Sequence, residues 1–218
     1  EHDVLQAMTA PGHASISTGA WPYRHGIVVN KWFDPETGEK TYCVGDPKGK
    51  LLGIPGDPPG RSPANLFGPT LGDTLKNAGY GSRVVSISLK DRAAILMGGH
   101  RPDAAIWMHS DSFQWTTSSF YRPDGTLPSW VAAQNAALES RRGEAVVFEP
   151  TGEASGHSDD GAGEFSYRTQ VGNPSALALP FGYEVTLDLV EAALKAKVFD
   201  GDARTDLLMV SLSSYDYL

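Results

Sequence analysis

The sequence predicts an α/β fold, because a helix-period segment is twice followed by a short apolar run of the kind that makes a buried parallel strand. The first pair is Thr70 to Ala78, with Leu71, Leu75 and Ala78 at helical spacing and Gly79 as its stop, and then Arg83 to Ile87, which carries the β-branched Val84, Val85 and Ile87. The second is Val185 to Val198, with Leu187, Val190, Leu194 and Val198 on one face, and then the run Leu207 to Leu212.

In chain order, Val4-Leu5 reads as the tail of a strand, and Pro11 suits the first position of the helix that follows, where a missing N–H costs nothing. Thr9 then stands at the positive end of a short helix beside unpaired amides, a place where phosphate binds. Asp46 to Pro63 is thick in glycine and proline and cannot hold a helix, and Thr151 to Gly163 is rich in Gly, Ser and Asp; both read as surface loops. Phe113 to Trp115, Phe120-Tyr121 and Val146 to Phe148 are weaker strand or insertion candidates. Trp107, Phe113, Trp115, Phe120, Tyr121 and Trp130 crowd the middle segment, about 105–180, which reads as an insertion or subdomain. Core packing is the first expectation for these rings, and a platform for a nucleoside or aryl phosphate the sharper one.

With 218 residues, 40% hydrophobic and 20% charged, the chain has the length and composition of a soluble domain. A net charge of −8 without a basic stripe argues against nucleic acid as a stable partner. Cys43 is the single cysteine, which excludes an internal disulfide and any cysteine-based metal cluster and leaves a packing role. The chain starts at Glu1 with no initiator methionine, signal peptide or apolar span, and stops just after a hydrophobic run, so it reads as a piece of something longer.

Both strands run out into polar clusters, Ser88-Leu89-Lys90-Asp91-Arg92 and Ser213-Ser214-Tyr215-Asp216. In open parallel sheets ligands bind outside the carboxyl ends of the strands, so these loops and the one carrying Thr9 are expected to share a rim. Taken singly, each residue has an ordinary structural reading. Thr9 and Asp216 suit helix caps, Asn30 suits a turn, and Lys90 and Arg92 suit a solvated loop that pairs with Asp91.

Taken together, Thr9-Ala10-Pro11-Gly12-His13, His25-Gly26-Ile27 with Asn30, Ser88 to Leu96, and Ser211 to Tyr217 resemble the type I phosphodiesterase/nucleotide pyrophosphatase family, and most of all its phosphate-irrepressible alkaline phosphatase branch. The resemblance covers nearly the whole chain in family order. It implies an alkaline phosphatase-like core, incomplete here, with a mostly parallel sheet and helices on both faces. It also implies two zinc ions around a threonine nucleophile, with Thr9 as nucleophile and ligand of one zinc and Asp216 as ligand of the other. The remaining ligands would lie outside this chain, so that zinc would hardly be retained by it. Asn30, Lys90 and Arg92 would hold the phosphoryl oxygens, and a periplasmic or secreted location is implied.

Two cations suit the higher charge of a phosphate monoester, so monoester hydrolysis through a phosphothreonine intermediate is the first expectation. A phosphodiesterase or nucleotide pyrophosphatase on the same fold is the alternative, and an inactive fragment that binds phosphate weakly is a third. The expected partner is a small phosphate ester. His13 and His25 are expected to be structural, His100 to brace the Lys90–Arg92 loop, and His2, His109 and His157 to have no role. Asp159-Asp160 reads as a solvated acidic turn.

Overall fold

The computed structural model describes residues 7–149, 167–196, 198–199 and 204–214. In chain order these form helices α1 (Thr9–Thr18) and α2 (Pro22–His25), strands β1 (Lys31–Phe33), β2 (Lys40–Tyr42), β3 (Gly45–Lys50) and β4 (Pro59–Arg61), and helix α3 (Leu71–Asn77). There follow β5 (Val84–Ser88), α4 (Asp91–Gly98), β6 (Ala104–His109), β7 (Gln114–Thr116), α5 (Ser129–Ser140), β8 (Ala145–Phe148) and β9 (Tyr167–Gln170). A 3₁₀ turn (Pro174–Ala178), α6 (Pro180–Lys195) and β10 (Leu207–Ser211) complete the described part.

The central sheet has the order β10-β5-β6-β7, with the first three strands parallel and β7 antiparallel to β6. Alternation along the strands sorts two cores. Val85, Ile87, Ile106 and Met108 face α5 and α6, meeting Val131, Leu138, Val185 and Leu189. Ala105 and Trp107 face the other way, toward Ala10 and Ala14 of α1 and Ala94 to Leu96 of α4. Small residues on α1 let it lie close on α4, and the Ser17 hydroxyl bonds the Leu96 carbonyl at 2.6 Å.

The two helix-then-strand pairs stand where the sequence puts them, but the helices bury other faces than the ones it marked: Leu71, Leu187 and Leu194 are exposed, while α3 buries Gly72 and Asp73 and α6 buries Phe181, Val185, Leu189 and Ala193. Residue 180 opens α6 because Pro180 fits a first helical turn, several residues before the apolar face begins. Thr70 caps α3 with a reciprocal Thr70–Asp73 capping box. Pro11 lies within the first turn of α1, which already starts at Thr9. Val146 to Phe148 falls in β8 and Phe113 to Trp115 overlaps β7, while Phe120-Tyr121 is a turn. Trp107, Phe113 and Trp115 are buried in the cores, as packing residues, whereas Phe120 is half-exposed.

Asp46 to Pro63 is more than the surface loop its composition suggests. It contains β3 and β4, paired antiparallel through a bulge, and it sends Leu51 and Ile54 into the core beside Cys43. Thr151 to Gly163, with His157 and Asp159-Asp160, lies outside the described residues, as do Val4-Leu5, His2 and Asp216.

Candidate functional site

At the carboxyl ends of the parallel strands, α1 and α4 both begin. Met8, the residue before α1, has no capping side chain, and the cap comes from another segment: the Ala10 N–H donates to Asn30 Oδ1 at 2.9 Å. Asn30 is thereby fixed beside Thr9, and both are half-buried. With Oδ1 engaged, the amide NH₂ is the end of Asn30 available to a phosphoryl oxygen. His13, one turn along α1, hydrogen-bonds the Thr9 carbonyl at 2.7 Å and the Ser211 hydroxyl at 2.9 Å, tying the helix start to the end of β10. His25 is fully buried between Ser15 Oγ and the Ile27 N–H, and burial lowers its pKa. These two histidines are structural.

Beyond β5, Lys90 and Arg92 lie not on a loop but across a helix start. Lys90 is the residue that precedes α4 and is buried, while Arg92 is in the first turn. The segment is helical because Ala93 to Met97 are buried on every side, which leaves no polar stripe for a periodicity argument to find.

Arg92 is held by groups the sequence did not single out. The Tyr42 hydroxyl donates to Asp91 Oδ1 at 2.6 Å and accepts from Arg92 Nη1 at 3.3 Å, and Arg61 Nε donates to Asp91 Oδ2 at 2.9 Å. Burial and the neighbouring Asp91 carboxylate push the Tyr42 phenol far above its ordinary range, so it stays a neutral donor. Burial works against the charge on Arg92, but Tyr42 and Asp91 outweigh it and raise its pKa. Arg92 Nε is buried with no partner among the described residues, a donor left over at the site. Cys43, next in sequence to Tyr42, is pushed up to about 12 by burial and is inert packing.

The two halves of the rim join through the β1–β2 ribbon. The Asn30 carbonyl accepts from the Cys43 N–H at 3.1 Å, so one short segment carries both the asparagine at Thr9 and the tyrosine at Arg92. At the Lys90–Arg92 end a cleft of about 300 Å³ opens, lined by Arg61, Lys90, Arg92, Trp107, His109 and Asp111 among others, and not by Thr9 or Asn30. His109, at the end of β6, therefore faces the cleft, although its sequence context gave it no role. His100 sits at the opposite end of α4, bonded to Asp73 and the Leu66 carbonyl, so it does not brace Lys90 and Arg92. Among the described residues no three His, Cys, Asp or Glu side chains gather as metal ligands.

These features define an open α/β protein with two helix starts, those of α1 and α4, near the carboxyl ends of its parallel strands, the first carrying Thr9 and Asn30 and the second Lys90 and Arg92. The profile of the family described as Type I phosphodiesterase / nucleotide pyrophosphatase matches residues 2–218, and the chain belongs to that family. It is 34% identical to the alkaline phosphatase PhoV of Synechococcus elongatus over 97% of this chain and 42% of that one. With the alkaline phosphatase PafA of Elizabethkingia meningoseptica it shares 33% identity, over 99% and 43% respectively. The crystal structure of PafA superposes with a TM-score of 0.80, covering 96% of this chain and 44% of that one. A solved variant of PafA is altered at one threonine, one asparagine, one lysine and one arginine. The chain spans under half the length of the relatives it matches.

Proposed function

We propose that the whole protein hydrolyses phosphate monoesters, with Thr9 as the nucleophile. The observation that carries the reading is the Ala10–Asn30 hydrogen bond, which sets an amide donor beside a helix-start hydroxyl. Support comes also from the alkaline phosphatase relatives and from the PafA variant. Its altered asparagine follows its threonine at the same separation as Asn30 follows Thr9, and its lysine and arginine are two apart, as are Lys90 and Arg92.

In this reading Thr9 Oγ1 attacks phosphorus in line, the new O–P bond forms as the ester O–P bond breaks, and the alcohol leaves with a proton. Water then cleaves the phosphothreonine and frees phosphate. The Asn30 amide and the Arg92 guanidinium donate to nonbridging oxygens, Lys90 adds a second positive charge, and the starts of α1 and α4 favour the anion further. The zinc pair implied by the family resemblance would draw on Thr9 and Asp216. The described residues do not by themselves make up its ligand set, and no step here runs through it.

We read residues 1–218 as part of one catalytic domain, with about 105–180 as a subdomain-like segment. Its substrate is a small phosphate ester, and its location the periplasm or the exterior, as in the resemblance. No described helix is long and apolar enough to cross a membrane.

Steady-state rates of the whole protein on an aryl phosphate and a bis-aryl phosphate test the proposal. Lys90→Ala and Arg92→Ala should each lower monoester kcat/KM by about a hundredfold and diester kcat/KM by less than tenfold. Equal losses would favour the phosphodiesterase or nucleotide pyrophosphatase reading that the family description carries.

A further inference from the structure

Next to the cleft lies a second, wider groove of about 470 Å³, and the two share Arg61, Asp91 and Arg92. Its far wall is the β1–β2 ribbon. Lys31 is paired with Tyr42 and Phe33 with Lys40, and side chains two apart along a strand share a face, so Lys31, Lys40 and Tyr42 all stand on one side of the ribbon. The Tyr42 ring holds two of the cations in place, with Lys31 Nζ 5.5 Å and the Arg61 guanidinium carbon 5.3 Å from its centroid.

The charge count in this groove is unlike that of the chain. Four cations, Lys31, Lys40, Arg61 and Arg92, face a single carboxylate, that of Asp91, in a chain of net charge −8. Asp91 is already engaged by the Tyr42 hydroxyl and Arg61 Nε. A concentration of one sign on a protein of the other sign focuses the field on whatever binds there.

We infer that this groove is a subsite for a second anionic group on the substrate, so that the preferred monoesters carry another phosphate on the leaving alcohol. The inference rests on the monoesterase reading above. Arg92 lines both cavities, so a phosphoryl group at the rim and a phosphate in the groove would lie on two sides of one guanidinium. Arg61 and the two lysines then anchor the distal phosphate, while Tyr42 and Asp91 hold the arginines apart and oriented. The contacts are partly exposed, so salt should weaken them.

The probes are α,ω-alkanediol bisphosphates of increasing chain length, each compared with the monophosphate of the same diol, on the whole protein. The quantity read is the ratio of kcat/KM, bisphosphate over monophosphate, after allowing for the two equivalent ends. In the native protein the ratio should exceed about ten at an optimal chain length and shrink as ionic strength rises. The double substitution Lys31→Ala/Lys40→Ala should bring it down by about tenfold, Lys31→Arg/Lys40→Arg should keep it, and Lys195→Ala, on α6, should leave it alone. A native ratio near one at every chain length overturns the groove, and so does a ratio that the double alanine substitution leaves unchanged. Arg92→Ala separates the two failures. If it lowers both rates, the catalytic reading stands whatever the lysines do; if it lowers neither, the catalytic reading fails and takes the groove with it.

Discussion

The two ends of α4 use polar groups in opposite ways. At its far end the Asp73 carboxylate is saturated: Oδ1 accepts from the backbone N–H groups of His100 and Arg101, both at 2.9 Å, and Oδ2 from the Thr70 N–H at 3.0 Å, the Thr70 hydroxyl at 3.1 Å and His100 Nδ1 at 3.0 Å. Gly99 completes this knot in a left-handed, glycine-only conformation, φ 77° and ψ −146°, with no room for a Cβ against Thr70 and Asp73. At its near end the buried Arg92 Nε has no partner among the described residues. A saturated cluster closes on itself and stabilises the fold, whereas donors left over on a rim have a use only when something arrives from solvent.

The sharpest way to break this contrast is Thr9→Ala in the whole protein. Monoester kcat/KM should fall by about a thousandfold or more with the melting temperature little changed, and a loss of under tenfold would remove the rim's claim to the chemistry. Asp73→Ala should do the reverse. It strands several buried donors at once, and chemical denaturation should record a stability loss of about 3 kcal/mol, with kcat/KM per folded molecule close to native.

Asp91→Asn probes the join between the two kinds of network. Asp91 steers Arg92 through Tyr42, and a loss of about tenfold in kcat/KM with KM moving less than kcat is expected. An equal loss from Tyr42→Phe would place the effect in that hydroxyl.

The smallest effect concerns pH. The hydrogen bond to Asp73 raises the pKa of His100 above 6.5, so its contribution to stability is complete below that value and is lost as pH rises through the raised one. Burial opposes ionisation of Asp73, but the bonds from His100 and Thr70 outweigh it and depress its pKa, so its contribution is lost only as pH falls below 3.8. The decline in melting temperature as pH rises above 6.5 should flatten in His100→Gln, and kcat/KM should keep its native pH profile.

Much of the scaffold was legible because it obeys local rules. Helix α3 was legible in its span, from Thr70 to the stop at Gly79, although the Leu71 of its expected face is exposed, and β5 and β10 follow from short apolar runs of strand length. Helix α4 escaped notice because it is buried all round, and α5 because only Val131 and Leu138 along its length are buried. The ribbon β3–β4 was hidden behind glycines and prolines that signal turns in isolation yet tolerate pairing in a short, bulged ladder.

Thr9, Asn30, Lys90, Arg92 and Asp216 could be nominated from sequence because they sit in motifs with family order; the structure sets Asn30 at the start of α1 beside Thr9 and Lys90 and Arg92 at the start of α4, and Asp216 is outside the described residues. Asp91 was legible only as a partner for its neighbours Lys90 and Arg92, and Tyr42, Arg61 and His109 could not be nominated. Their meaning arises from contacts across tens of residues, Tyr42 to Asp91 and Arg61 to Asp91, which no local periodicity encodes.

By itself, then, the sequence determined the α/β class, the helix start at Thr9 and the family to which the chain belongs, since caps, apolar runs and ordered motifs are written residue by residue. Only the tertiary structure decided that Asn30 caps α1, that His100 serves the far end of α4, and that three further cations gather beside Arg92. Hydrogen bonds and charge fields depend on distance in space, and it is folding that makes residues far apart in the chain near neighbours.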